Sequence, residues 1–149
     1  MTHYCLRYLF LLASVVIVLM ACHVAHAGLC TLVEENSGCT LKLNPGDSLS
    51  VRLAGNLTTG YQWEIISYDK PVLRPIGEPD YAANSKAIGA GGMYTFRFEA
   101  VAPGTTCLKM IYHRTWEKGI APLRAFQISL IVSKESAGCQ TQNGPSDNE

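Results

Sequence analysis

Histidine is nearly missing from the part of this chain that can fold. Of four histidines in 149 residues, His3, His23 and His26 precede Gly28, which leaves His113 alone. A multi-histidine metal centre is thereby excluded, and imidazole acid–base chemistry would have to run through one residue. Charge of one sign is also missing. Twelve Lys and Arg balance twelve Asp and Glu, so there is neither the basic surface that nucleic acid requires nor a basic patch for membranes. No Cys-x-x-Cys pair occurs, which argues against metal or redox use of the cysteines. No convincing helical periodicity occurs, and past Met20 no apolar run reaches membrane-spanning length.

What is present begins with a leader. Met1 to Arg7 carries a single Arg, Leu9 to Met20 is apolar but for Ser14, and small residues follow. This is the pattern of a secretory signal peptide over residues 1–27, with Ala25-His26-Ala27 as the small-x-small cleavage site and Gly28 as the new N-terminus. Leu19-Met20-Ala21-Cys22 offers a second reading, a lipobox that would leave a lipidated Cys22 and a membrane anchor. The bulky Met20 favours the first. Export to a periplasm or to the outside is expected either way. Removal of the leader takes away Cys5 and Cys22 and leaves Cys30, Cys39, Cys107 and Cys139. An even number in an exported domain reads as two disulfides, with three connectivities open. About 120 residues then make one domain: a folded part over 28–135 and a polar tail over 136–149, expected to be disordered.

Alternation with period two runs through that domain. Leu49, Val51 and Leu53 alternate with polar neighbours; so do Tyr61, Trp63 and Ile65, and then Tyr94, Phe96 and Phe98. Leu108, Met110 and Tyr112 continue the pattern, as do Phe126, Ile128, Leu130 and Val132. Each run reads as a strand with one face in a core and one in water, which assigns Trp63 to the core. Cys39 to Leu43 and Cys30 to Glu34 add two more candidates. Asn36-Ser37-Gly38, Asn44-Pro45-Gly46-Asp47 and Pro103-Gly104 supply turns between them. Seven to eight short strands without a helix predict an all-β, immunoglobulin-like antiparallel sandwich in a single domain.

Three connections are more than hairpin turns: Ala54 to Gly60, Ile76 to Gly92, and Arg114 to Arg124. Their order along the chain could gather them at one end of the sandwich, where long loops commonly carry function. The residues in them support a family resemblance. Asn56-Leu57-Thr58-Thr59-Gly60-Tyr61-x-Trp63 resembles the Asn-Pro-Thr-Thr-Gly loop of the chagasin-like inhibitors of cysteine peptidases. Gly89-x-Gly91-Gly92 followed by Tyr94-x-Phe96 is similar to that family's second loop and strand. Arg114-Thr115-Trp116 resembles its Arg-Pro-Trp loop. Leu57 and Thr115 depart from the pattern by standing where the family has proline.

The resemblance implies a reversible, competitive plug for papain-like cysteine peptidases that contributes three loops and no chemistry. By that analogy, Thr58, backed by Thr59 and held between Asn56 and Gly60, would lie against the catalytic cysteine. Gly89, Gly91 and Gly92 would bring backbone alongside the peptidase cleft. Trp116 would be exposed and stack on an aromatic wall, with Arg114 bonding nearby. A monomer with no cofactor and no metal is expected. His113 reads as a half-buried residue at a strand end, and the Asn56-Leu57-Thr58 glycosylation sequon as accidental. Two other functions compete: an envelope adhesion or assembly module on the same scaffold, and a hydrolase built on His113. The first does not need three such loops together, and the second lacks a nucleophile signature.

Overall fold

In the computed structural model, which describes residues 27–134 and 140–142, the alternating segments become two stacked five-stranded sheets. The strands are β1 (Leu29–Val33), β2 (Thr40–Leu43), β3 (Ser48–Gly55), β4 (Gln62–Ser67) and β5 (Leu73–Pro75), followed by β6 (Asp80–Ala83), β7 (Gly92–Ala100), β8 (Gly104–His113), β9 (Arg124–Val132) and β10 (Gln140–Gln142). One sheet runs β1-β3-β7, with β5 and β6 both on the far side of β7; the other runs β10-β2-β9-β8-β4. The immunoglobulin-like sandwich expected from the alternation is the fold observed.

The inward faces interlock as the sequence patterning requires. Leu49, Val51, Leu53, Tyr94, Phe96 and Phe98 from one sheet meet Leu108, Met110, Phe126, Ile128 and Leu130 from the other, all buried. Burying each large apolar side chain contributes roughly 1.5–3 kcal/mol, and this layer supplies most of the driving force for the fold. Trp63 joins it at 6% exposure.

Four details differ from the sequence expectation. The sandwich is not wholly antiparallel: β1 runs parallel to β3, and β2 runs parallel to β9. Alternation reports which face is buried and carries no information about strand direction, so these pairs were not legible. The long connection from Ile76 to Gly92 is interrupted by β6, which pairs with the first half of β7. Asp80–Ala83 is mostly exposed and holds its place by backbone bonds at a sheet edge rather than by burial. Part of the tail expected to be disordered, Gln140–Gln142, forms β10 against β2. The rest of that tail, and the leader up to residue 26, lie outside the described residues.

The fourth difference concerns the cysteines. Cys107 carries a free thiol, so the four candidates do not close into two bridges. Cys39 just precedes β2 while Cys107 lies on β8, and β9 runs between them. Two strand spacings of roughly 4.8 Å exceed the ~7 Å Cα separation a disulfide tolerates, so these two cannot be joined to each other. Cys139 lies outside the described residues. Unfolded but unreduced protein should therefore take up a thiol reagent at Cys107, read by peptide mass mapping. A Cys107 that resists alkylation until reductant is added would contradict this.

Candidate functional site

Strand register places the three long connections together. Gly55 at the end of β3 pairs with Gly92 at the start of β7, and Gln62 at the start of β4 pairs with His113 at the end of β8. Loop 1 (residues 56–61) thus crosses from one sheet to the other. It does so beside loop 2 (84–91, between β6 and β7) and loop 3 (114–123, between β8 and β9). All three leave the same end of the sandwich.

Loop 1 is a single 3-10 turn over Leu57–Thr59 capped at both ends. Asn56 caps its start: Oδ1 accepts the Thr58 N–H at 3.0 Å and the Thr58 hydroxyl at 2.7 Å. The Thr59 hydroxyl donates to the Asn56 carbonyl at 2.7 Å, and Gly60 closes the turn at φ 77°. That left-handed value suits glycine, and space demands it as well. A Cβ there would come within 2.4 Å of the Trp116 ring. Leu57 and the two threonines stay exposed at the tip.

The loops brace one another. Asn56 Nδ2 donates to the Gly89 carbonyl at 2.9 Å, joining loop 1 to loop 2. Arg114 Nε donates to the Thr59 carbonyl at 3.1 Å, joining loop 3 to loop 1. Its guanidinium also donates to Glu117 at 2.9 Å and lies 4.5 Å over the Tyr61 ring. The Glu117 hydrogen bond raises the Arg114 pKa above its ordinary value, against desolvation and with help from Tyr61 and the Glu117 charge; the side chain stays charged. Below this network lies an aromatic shelf. Tyr61 and Trp63 both pack on Tyr112 at centroid distances of 5.4 and 5.3 Å, and the Tyr112 oxygen accepts the Asn56 N–H at 2.7 Å.

The predicted residues divide into those that face outward and those that hold the site. Leu57, Thr58, Thr59, Gly89, Thr115 and Trp116 are exposed, Trp116 at 64%. Gly91 sits close to the Gly55 carbonyl, where a Cβ would lie 3.4 Å away. Gly92 is buried, and a Cβ on it would strike the Ala82 carbonyl at 2.4 Å and the Tyr81 ring at 2.5 Å. It secures the base of loop 2 and presents no surface of its own. Asn56 and Arg114 are largely engaged in bracing. His113 lies half-buried at its strand end, with Nε2 2.6 Å from Glu64.

Sequence reasoning missed other members of this end. Ile88 in loop 2 and Ile120 and Leu123 in loop 3 are large exposed apolar residues. The available signal was an isolated apolar residue within a polar or glycine-rich connection. Arg124 was read as a loop boundary only. Its guanidinium donates to the Ala54 carbonyl at 2.7 Å and to both oxygens of Glu34 at 3.1 and 2.9 Å, and it lies 4.4 Å over Tyr112.

A family model described as chagasin family peptidase inhibitor I42 matches residues 42–130, which include all three loops. The chain belongs to this family. Amoebiasin-2 of Entamoeba histolytica is 27% identical to it over 119 residues, covering 76% of this chain and 93% of the relative. Chagasin of Trypanosoma cruzi is 27% identical over 89 residues, covering 57% and 81%. Among solved structures, a cysteine protease inhibitor from Entamoeba histolytica superposes with a TM-score of 0.66 at 28% identity. It covers 72% of this chain and 98% of that one. The chagasin family and these relatives are protease inhibitors and not enzymes.

Two substitutions at Asn56 separate its functions. Asn56→Ala removes both the cap and the bridge to loop 2, and is expected to cost about 1 kcal/mol locally, with faster amide exchange at Thr58. Asn56→Asp keeps the cap acceptor, loses the Nδ2–H donor, and should loosen loop 2 alone. Residue-resolved hydrogen exchange reads both; equal loosening of loop 1 in the two variants would contradict the assignment.

Proposed function

We propose that this protein is a reversible, competitive inhibitor of papain-like cysteine peptidases, which blocks the active-site cleft with loops 1, 2 and 3. The observation that carries the reading is the cross-bracing. Three loops from both sheets are tied through Asn56 and Arg114 into one edge, with Leu57, Ile88 and Trp116 exposed along it. A preorganised wedge loses little entropy on docking, and an exposed indole beside small polar residues is a common centre of binding energy.

Thr58 at the tip would face the catalytic cysteine. A threonine hydroxyl suits that polar centre, and the 3-10 backbone around it is curled away from the extended form a peptidase cleaves. The Gly89 to Gly91 backbone would run beside the cleft on one side. Trp116 would pack on the other, lying across Gly60 in the free protein. Arg114 acts mainly from within, since its partners are Thr59, Glu117 and Tyr61. We also propose that the chain is exported by a leader over residues 1–27 and works as a monomer.

Inhibition constants against papain and a cathepsin-L-like enzyme test the reading. Inhibition should be competitive, fully reversible, and absent toward trypsin. Trp116→Ala should weaken it about 30-fold, equivalent to ~2 kcal/mol, while moving the melting temperature little. Gly60→Ala should weaken it too, because the added methyl displaces Trp116 and strains the turn. Covalent, time-dependent loss of peptidase activity, or an inert Trp116→Ala, would overturn the model.

A further inference from the structure

Asp47 is the most completely buried charged side chain among the described residues, at 3% exposure, and it lies far from the loop end. It sits in the turn before β3. Its two oxygens are taken by backbone amides alone: Oδ1 accepts the Gly28 N–H at 2.8 Å and Oδ2 the Asn44 N–H at 2.7 Å. None of its recorded hydrogen bonds or ion pairs involves a cationic group. A carboxylate buried with only neutral donors is expensive, since amide bonds replace hydration without supplying a counter-charge.

Gly28 is where the leader reading places the new N-terminus. The fold begins at the same residue: the Gly28 carbonyl accepts the Ser48 N–H at 2.8 Å, and β1 starts at Leu29 opposite Ser48. Ala27 before it is exposed. The carboxylate also fills the space beside Gly28, where a Cβ would lie 3.1 Å from Oδ1. A residue without a side chain fits at that point.

We propose that Asp47 is a binding site for the α-ammonium group of Gly28, created when the leader is cut between Ala27 and Gly28. Hydrolysis of that peptide bond gives the Ala27 carboxylate and the Gly28 amine, which takes up a proton. The nitrogen already 2.8 Å from Oδ1 thus changes from a neutral donor to a cation. The buried carboxylate gains its counter-charge, and β1 is fastened to β3 at the moment of release. The precursor lacks this ion pair, and so does a form cut to begin at Cys22.

The test uses the full chain exported by its own leader. N-terminal sequencing and intact mass should give Gly28. Two variants follow: Asp47→Asn, and an insertion of one alanine after Ala27 so that processing leaves one residue before Gly28, checked by mass. Each should lower the melting temperature by about 4 °C or more for a domain of this size. The insertion should have no further effect in the Asp47→Asn background, because either change removes the same pair. An N-terminus at Cys22, an insertion without effect in the unsubstituted protein, or fully additive losses would each overturn the proposal.

Discussion

The loop end depends on Asn56. Its backbone N–H is anchored to Tyr112 in the core of one sheet, its Oδ1 holds Thr58, and its Nδ2 reaches the loop 2 backbone. A single residue therefore connects a buried aromatic shelf through its backbone, and the tip of loop 1 and the neighbouring loop through its side chain. The side chain can serve both loops only because an amide offers acceptor and donor together. Aspartate would lack the donor and serine the reach.

The shelf beneath explains why the anchor is rigid. Tyr112 packs between Tyr61 and Trp63, and Arg124 covers its face while bonding the Ala54 carbonyl. Trp63 Nε1 donates to that same carbonyl at 2.9 Å. The end of β3 before loop 1 is thus held by two side chains from the opposite sheet. Glu34 binds the outer side of Arg124 at both oxygens, so the segment after β1 helps to fix a loop distant from it in sequence. Charge, stacking and hydrogen bonding converge on one guanidinium, a geometry that lysine could not reproduce.

Much of this was legible in the residue pattern, for identifiable reasons. Burial on one face writes period two into the sequence, so Val51, Phe96, Met110 and Ile128 declared their strands directly. Loop chemistry was legible where it used unusual residues: Asn56 and Gly60 flanking the two threonines, and Trp116 in a polar setting. Strand direction left no trace, because parallel and antiparallel partners bury the same residues. β5, β6 and β10 were missed because short edge strands are held by backbone bonds that almost any sequence can make. The bracing roles of Arg114 and Arg124 were hidden for a further reason. An arginine at a loop boundary looks the same in sequence whether it faces a ligand or its own chain.

The departures from the family's loop pattern can now be weighed against this geometry. Proline stiffens a loop by restricting φ before binding occurs. Leu57 stands at the first position of the 3-10 turn, the place where proline would fit most easily. Its absence leaves the unbound loop more freedom only if nothing else restrains the turn. Here the two bonds from Thr58 to Asn56 Oδ1, the Thr59 hydroxyl on the Asn56 carbonyl, and Arg114 on the Thr59 carbonyl restrain the same three residues. Hydrogen bonds contribute on the order of 1 kcal/mol each, against about 0.4–1 kcal/mol for a well-placed proline. The network therefore outweighs the missing ring. A leucine at the tip also adds apolar surface that can be buried on docking. Loop 3 lacks an equivalent web around Thr115. It is restrained beside Thr115 through Arg114, by the Glu117 pair, the Glu117 N–H on the Arg114 carbonyl at 3.1 Å and the bond to the Thr59 carbonyl. Preorganisation is thus concentrated in loop 1, and Trp116 keeps its place by resting on Gly60.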